Sequence, residues 1–261
     1  MNSDMICLIS EKLKEIEQKE HVKVLYAAES GSRSWKVSAP DSDYDVRFIY
    51  IRNPQEYLRL DKVSDVLEFP IADNLDISGW DLFKALGLLK KSNPRLFEWF
   101  NSPIVYSDTS FANRFKPIMY NYFSQKSIVS HYIHTAKHQR DHFLQGNNVK
   151  LKKYLYALHP IMAAQWVFEH KTPPPIIFRE LMDSELPRDI YSSVEELLYK
   201  KINFPEQSVI ERIPMVDDYI NCSINSLEKQ ISFLDEVNTL DWASLNNFFL
   251  TELSYIDKMN L

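Results

Sequence analysis

In the stretch "YAAESGSRSWKVSAPDSDYDVRFIY", residues 26–50, two aspartates stand one residue apart, Asp43 and Asp45, with Arg47 two positions further on. Side chains alternate along a strand, so these three project from one face while Tyr44, Val46 and Phe48 project from the other. Two carboxylates on one strand face repel each other unless a cation lies between them. Oxygen ligands of this kind suit Mg²⁺ or Mn²⁺, with water and substrate phosphates as the remaining ligands. Ahead of them, Gly31 and Ser32 follow directly on the apolar run "VKVLYAA" and its short polar tail. Glycine at a strand-to-helix turn accepts positive φ and lets a phosphate approach the backbone, where N–H groups and a serine hydroxyl face the anion. A phosphate cradle and a carboxylate pair, joined by a short turn of helix in "RSWKVS", make a metal–nucleotide site. Each piece also has a plainer explanation when it stands alone: a turn with an N-cap serine, and a solvated strand edge.

Such a site needs strands to carry it. Residues 22–28 read as a buried strand, 42–51 as a second one rich in β-branched and aromatic residues, and "DVLEF" and "NLDIS" as two shorter strands around Pro70. Before them, residues 4–19 place Met5, Leu8, Ile9, Leu13 and Ile16 at helical spacing. "WDLFKALGLLKKSN", residues 80–93, is expected to be a helix, with Ser78 and Asp81 at capping-box spacing, and "PRLFEWFNSPIVY" a turn of helix followed by a last strand. From about residue 108 the pattern is helical with almost no strand signal, interrupted by the proline-stiffened "KTPPPIIFREL". "SSVEELLYKKIN", 217–236 and 241–256 read as further helices. The expectation is an α+β chain, with a mixed β-sheet flanked by helices over 1–107 and an α-helical domain over 108–261.

Composition narrows the partners. With 45% hydrophobic and 25% charged residues among 261, the chain has the make-up of a folded domain rather than a disordered one. A net charge of −6 gives no global pull toward nucleic acid and leaves only a local basic patch for such a partner. The two cysteines, Cys7 and Cys222, make neither a disulfide framework nor a zinc knuckle and fit a reducing compartment. No apolar run approaches the roughly 20 residues needed to span a bilayer. The expected location is the cytoplasm, with no membrane partner.

Gly31-Ser32, ten intervening residues and then Asp43-Tyr44-Asp45 resemble the signature of the DNA polymerase beta nucleotidyltransferase superfamily. Taken in order, "GSRSW…SDYDVRFIYI", "DISGWDL" and "KKYLYALHP" resemble the nucleotidyltransferases associated with RNA repair operons, over residues 20–250. The resemblance implies transfer of a nucleoside monophosphate from an NTP to an acceptor hydroxyl, with pyrophosphate leaving, by two-metal chemistry. It also implies a third acid on a neighbouring strand, and Asp76, lying between Leu75 and Ile77, points away from those apolar neighbours as such a ligand must. Asp43 and Asp45 would hold both ions. Asp76 would bind the catalytic ion and orient or deprotonate the attacking hydroxyl. Gly31, Ser32, Arg33 and Arg47 would meet the nucleotide. Asp81 is the rival third acid, but helix capping is a sufficient role for it. In related folds a lysine of the helical domain reaches the triphosphate, which makes Lys152 and Lys153, with Tyr154 beside them, nucleotide-binding candidates. Their plainer reading is a solvated lysine pair beside a core tyrosine. The resemblance has Arg more often where His159 stands, so a charge at that place would depend on pH.

His131, His134, His138 and His142 share one helix face. A zinc stripe is the sharp reading, but no HExxH pattern accompanies it and Lys137 and Arg140 interleave, so a polar or cationic wall is preferred. The acceptor stays open among an RNA end, a small molecule and a protein side chain, as do the choice of NTP and the oligomeric state. Two rival functions are AMP transfer to a protein and a non-catalytic nucleotide-binding or interaction module. Antitoxins of the first kind are usually short chains without such a helical half. An idle homologue is expected to have lost an acid, and all three are present.

Overall fold

The computed structural model describes residues 3–61, 63–72, 74–235 and 241–258. The apolar runs of the first hundred residues assemble into a five-stranded mixed sheet. In spatial order it runs β3 (Val66–Glu68), β4 (Leu75–Asp81), β2 (Tyr44–Arg52), β1 (Val22–Glu29) and β5 (Val105–Asp108). β1 is antiparallel to both β2 and β5, β3 is antiparallel to β4, and β2 and β4 are parallel. Parallel pairing puts Asp45 opposite Asp76 and Arg47 opposite Ser78.

Alternation sorts the strand residues into two cores. Val24, Ala27, Val46, Phe48, Tyr50, Leu75 and Ile77 pack under α1 (Ser3–Glu20) through Ile9, Leu13 and Ile16. The opposite face sends Ile49 and Ile51 into a second core, and an irregularity in β1 between Val24 and Tyr26 turns Leu25 and Tyr26 that way together. That second core continues without a break through α3 (Leu82–Lys90), α4 (Pro94–Phe100), α5 (Phe111–Asn121), α6 (Gln125–Phe143) and α7 (Leu151–His170). Beyond them it takes in α8 (Phe178–Glu185), α9 (Arg188–Asn203), α10 (Pro214–Gln230) and α11 (Ala243–Lys258). The helices therefore roof the sheet face that carries Asp45 and Arg47. No described helix is long and apolar enough to cross a membrane.

Three local expectations are corrected. The helix read from residue 80 starts at Leu82, because Trp80 and Asp81 stay in β4, paired with Ile49 and Tyr50. Asp81 is itself the N-cap, accepting from the Phe83 N–H at 2.8 Å, and Ser78 stays on the strand. A two-stranded ribbon, β6 (Asn148–Lys150) with β7 (Val209–Glu211), lies inside the helical half. Strands of three residues carry too little alternation to be read from sequence. The helix read over 217–236 runs from Pro214 to Gln230 and gives way to a 3-10 turn over Ile231–Phe233, with residue 236 outside the described residues.

Asp81 gives a pH prediction. Asp81 is 3% exposed, and burial pushes its carboxyl from an ordinary value near 3.8 up to about 6, against the opposing hydrogen bonds from Phe83 and Tyr57 and the nearby Arg52 charge. The folded state therefore holds this proton more tightly than the unfolded chain. The contribution is present in full below about pH 4 and is lost as pH rises through about 6. Asp81→Asn keeps a good cap and removes the titration. The stability of wild type relative to the variant should fall by up to about 3 kcal/mol between pH 4 and pH 7. Urea melts across that range check it, and a difference that stays constant with pH would overturn it.

Candidate active site

β1 ends at Glu29, and the chain turns through Ser30 into a single helical turn, α2 (Gly31–Ser34). Gly31 has φ of +62°, and a Cβ placed on it would lie 2.3 Å from Asp45 Oδ2, so both backbone conformation and close approach require glycine. The same corner fixes the backbone of Asp45. Its carbonyl accepts from Ser30 N at 2.8 Å, and its N–H donates to Glu29 Oε1 at 2.9 Å. Glu29 is fully buried, also accepts from the Tyr106 hydroxyl, and is pushed by burial up to about 7.

The Asp45 and Asp76 carboxylates lie side by side across β2 and β4, with the Arg47 guanidinium on both. Its Nη2 is 3.2 Å from Asp45 Oδ1 and 2.7 Å from Asp76 Oδ2, while Nη1 donates to the Asp76 carbonyl at 2.9 Å. Burial raises the Asp45 carboxyl to about 6, partly offset by Arg47, with Asp76 and Asp43 adding to the rise. Asp43 is exposed just before β2. Arg33 holds its segment, donating to the Asp43 carbonyl at 3.0 Å and the Ser42 carbonyl at 2.6 Å, with its guanidinium 3.7 Å from the Tyr44 ring centre. Arg33 is thus a strut for the loop. Ser32 is buried within the α2 turn.

A cleft of about 390 Å³ opens at Asp45, which lines it, while Asp43 and Asp76 do not. Its floor is Ser30, Gly31, Asp45, Arg47, Ser78 and Trp80. Arg95, Glu98 and Trp99 of α4 form one wall, and α6 and α7 close it with His131, Gln139, Tyr156 and His159. Trp80 packs against Trp99 with ring centres 4.1 Å apart and planes tilted by 35°, and His159 lies flat on Trp35 at 3.9 Å. His159 is 3% exposed, and burial pulls it down to about 4, so it is neutral at physiological pH. The sequence expectation of a pH-dependent charge at this position is corrected by that burial.

The candidates on α7 part company. Residues at i, i+4 and i+7 share a helix face, so Lys152 lies on the stripe of Tyr156 and His159. It sits at one end of that stripe, where its Nζ is 3.2 Å from Glu206 Oε1. Glu206 also accepts from the Ser42 hydroxyl and the buried Lys201 ammonium, each at 2.5 Å, and its N–H donates to Asp41 at 2.7 Å. This cluster ties the Asp43 loop to the helical half. Lys153 lies over the Phe143 ring at 3.4 Å, with its pKa lowered first by burial and then by Lys152 and Lys150. Tyr154 is not brought to the cleft. It points into the helical core, donating to Asp217 Oδ1 and accepting from Ile213 N, both at 3.0 Å. Of the four α6 histidines, His131 lines the cleft, while His138 and His142 stack on each other at 4.4 Å. Sequence reasoning missed Glu29, Arg95, Glu98, Gln139 and Lys201. Only Glu29 left a local signal, an acid closing a buried strand directly before the turn.

Among the described residues, the one group of three ligand atoms within 4.8 Å of each other is Glu169, His170 and Glu185 at the surface, so Asp43, Asp45 and Asp76 do not converge that closely. The acids do fit a divalent cation. Arg47 already stands in for a positive charge on the Asp45 and Asp76 oxygens, and all the donors are hard carboxylates.

Residues 5–251 match the model of the RNA repair pathway DNA polymerase beta family, RlaP. A Bacillus subtilis (strain 168) protein described as "Uncharacterized protein YcgL" is 39% identical over 252 residues, which cover 96% of this chain and 97% of that one. A solved nucleotidyltransferase-like protein from Exiguobacterium sibiricum 255-15 is similar at 15% identity, covering 86% of this chain and 74% of its own, with a TM-score of 0.30. On the strength of a match that spans nearly its whole length, the chain belongs to the RNA repair pathway DNA polymerase beta family.

Proposed function

We propose that this protein transfers a nucleoside monophosphate from an NTP to an acceptor hydroxyl, with an RNA end as the acceptor. One observation carries the reading: two carboxylates paired across parallel strands, already bridged by a cation, beneath a glycine turn that admits no side chain. Family membership supports the reaction class, and the family description supports RNA.

In this reading Asp43, Asp45 and Asp76 hold Mg²⁺ or Mn²⁺, which neutralises the phosphates and polarises the attacking and leaving oxygens when bound. Asp76 orients the acceptor hydroxyl and takes its proton. Asp45 keeps its direction because β1 grips its backbone from both sides. The backbone N–H groups of Gly31 and Ser32 face the triphosphate, and Arg47 leaves the carboxylates to meet it. Residues 108–261 close over a nucleotide seated on residues 1–107, and Lys152, at the rim, is the lysine with access to the outer phosphates.

Because Arg47 occupies the carboxylate pair, metal alone binds weakly. Calorimetry with Mg²⁺ and a non-hydrolysable NTP analogue, separately and together, should give a metal affinity at least about tenfold higher with nucleotide present. Equal affinities would overturn the shared site. Incubation of the protein with α-phosphate-labelled NTPs and total RNA should label the RNA. Label that appears only in protein would instead make the acceptor a side chain.

A further inference from the structure

Two residues of the cleft wall carry buried polar atoms that the chain itself leaves unanswered. Among the described residues, three buried side-chain atoms lack a hydrogen-bond partner: Arg52 Nε, Gln139 Oε1 and His159 Nε2. The residues that carry the last two, Gln139 and His159, both line this one cleft, as do Asp45 and Arg47. Buried polar groups are nearly always satisfied, and an orphaned one at a site is an address for something that completes it.

Both orphans are acceptors. The His159 ring donates to the Ile176 carbonyl, and because Nε2 has no partner the donor is Nδ1, which leaves the lone pair on Nε2. The flat stack on Trp35, with an interplanar angle of 6°, fixes the plane of the ring, and the Ile176 bond fixes its tautomer. Gln139 Oε1 enters from α6, across the cleft wall from α7. A ligand group satisfies these two atoms by donating, and a carbonyl placed there faces two lone pairs.

We propose that Gln139 and His159 form the base-reading end of a nucleotide subsite, selecting nucleobases that carry an exocyclic amino group over the oxo bases uracil and hypoxanthine. An amino group supplies two N–H donors at one point, whereas uracil offers a single ring N–H between two carbonyls and hypoxanthine a single ring N–H between a carbonyl and a C–H. Trp35 and Trp80 line the same cleft and supply aromatic surface for a base. The inference rests on the cleft being the NTP site. It adds that the site distinguishes bases and names the atoms that do so.

Calorimetry of the full chain with Mg²⁺ and non-hydrolysable analogues of ATP, ITP, CTP and UTP tests it. ATP should bind more tightly than ITP, and CTP more tightly than UTP, in each pair by about tenfold or more. Gln139→Leu, similar in size but without an acceptor, should bring both ratios toward one, and a thermal melt confirms that the variant is folded. His159→Phe, which keeps a ring on Trp35, should do the same. Four analogues bound alike would overturn base selection and leave the nucleotide site standing, with water alone on the two acceptors. Tighter binding of UTP or ITP, or ratios unchanged in a folded Gln139→Leu protein, would also overturn it. Failure of all four to bind would remove the nucleotide reading together with this one.

Discussion

Asp45→Asn and Asp76→Asn should each lower nucleotidyl transfer by about 1,000-fold or more while leaving the protein folded. A metal ion at the reacting phosphate contributes several kcal/mol of charge stabilisation, and every 1.36 kcal/mol is a factor of ten in rate. In the proposed mechanism either exchange halves the carboxylate pair that would receive the ion. The fold has little to lose, since the Arg47 contacts to these acids are partly exposed and such ion pairs contribute at most about 1 kcal/mol. Removing one of two like charges also relieves repulsion in the metal-free state. Label transfer from an α-labelled NTP measures the first effect and a thermal melt the second. A variant that unfolds would make its carboxylate structural.

The second large effect is expected at a residue with no side chain. Gly31→Ala sets a methyl group 2.3 Å from Asp45 Oδ2 and asks an L-residue to hold φ of +62°. The backbone conformation alone costs about 1–2 kcal/mol. The greater damage is to the acid, which must turn aside, and a displacement near 1 Å in a catalytic group costs about 100-fold in rate. Transfer should therefore fall by about two orders of magnitude or more, with a modest loss of stability. Gly87→Ala is the matched control. A Cβ there meets nothing within 4 Å, and in the middle of α3 it should stabilise by about 0.5–1 kcal/mol with activity unchanged. Steady-state transfer assays on both variants decide it. A fully active Gly31→Ala protein would mean that Asp45 does not work in the position seen here.

The sheet and its acids were legible because they rest on local rules. The apolar stretch 22–28 becomes β1, the alternation in "SDYDVRFIYI" becomes β2 with Asp45 and Arg47 opposite Val46 and Phe48, and Asp76 lies on the strand next door. The cleft wall was not legible. Arg95, His131, Gln139 and His159 come from three helices and meet only through packing between distant segments. α7 defeated periodicity in a particular way. It is buried nearly all round, so its polar stripe hardly shows, and the eye goes to the adjacent lysines rather than to Tyr156 and His159 one and two turns on. Tyr154 was drawn toward the site by its neighbours in sequence, yet helical geometry turns it about 200° from Lys152, into the core. Glu29 and Lys201 are buried charges whose partners, Tyr106 and Glu206, lie elsewhere in the chain or across a turn.

Three of the five tryptophans, Trp35, Trp80 and Trp99, line the cleft, and two of them pack against each other at a tilt. The protein therefore carries its own optical probe. Indoles this close couple their electronic transitions, so the Trp80–Trp99 pair should leave a signature in circular dichroism that changes when a ligand fills the cleft. Trp35 lies under a neutral imidazole and should emit steadily around neutral pH. A ligand entering the cleft should be visible in unlabelled protein as a change in intrinsic emission, fast enough for stopped flow to separate its arrival from any later closing of the helices.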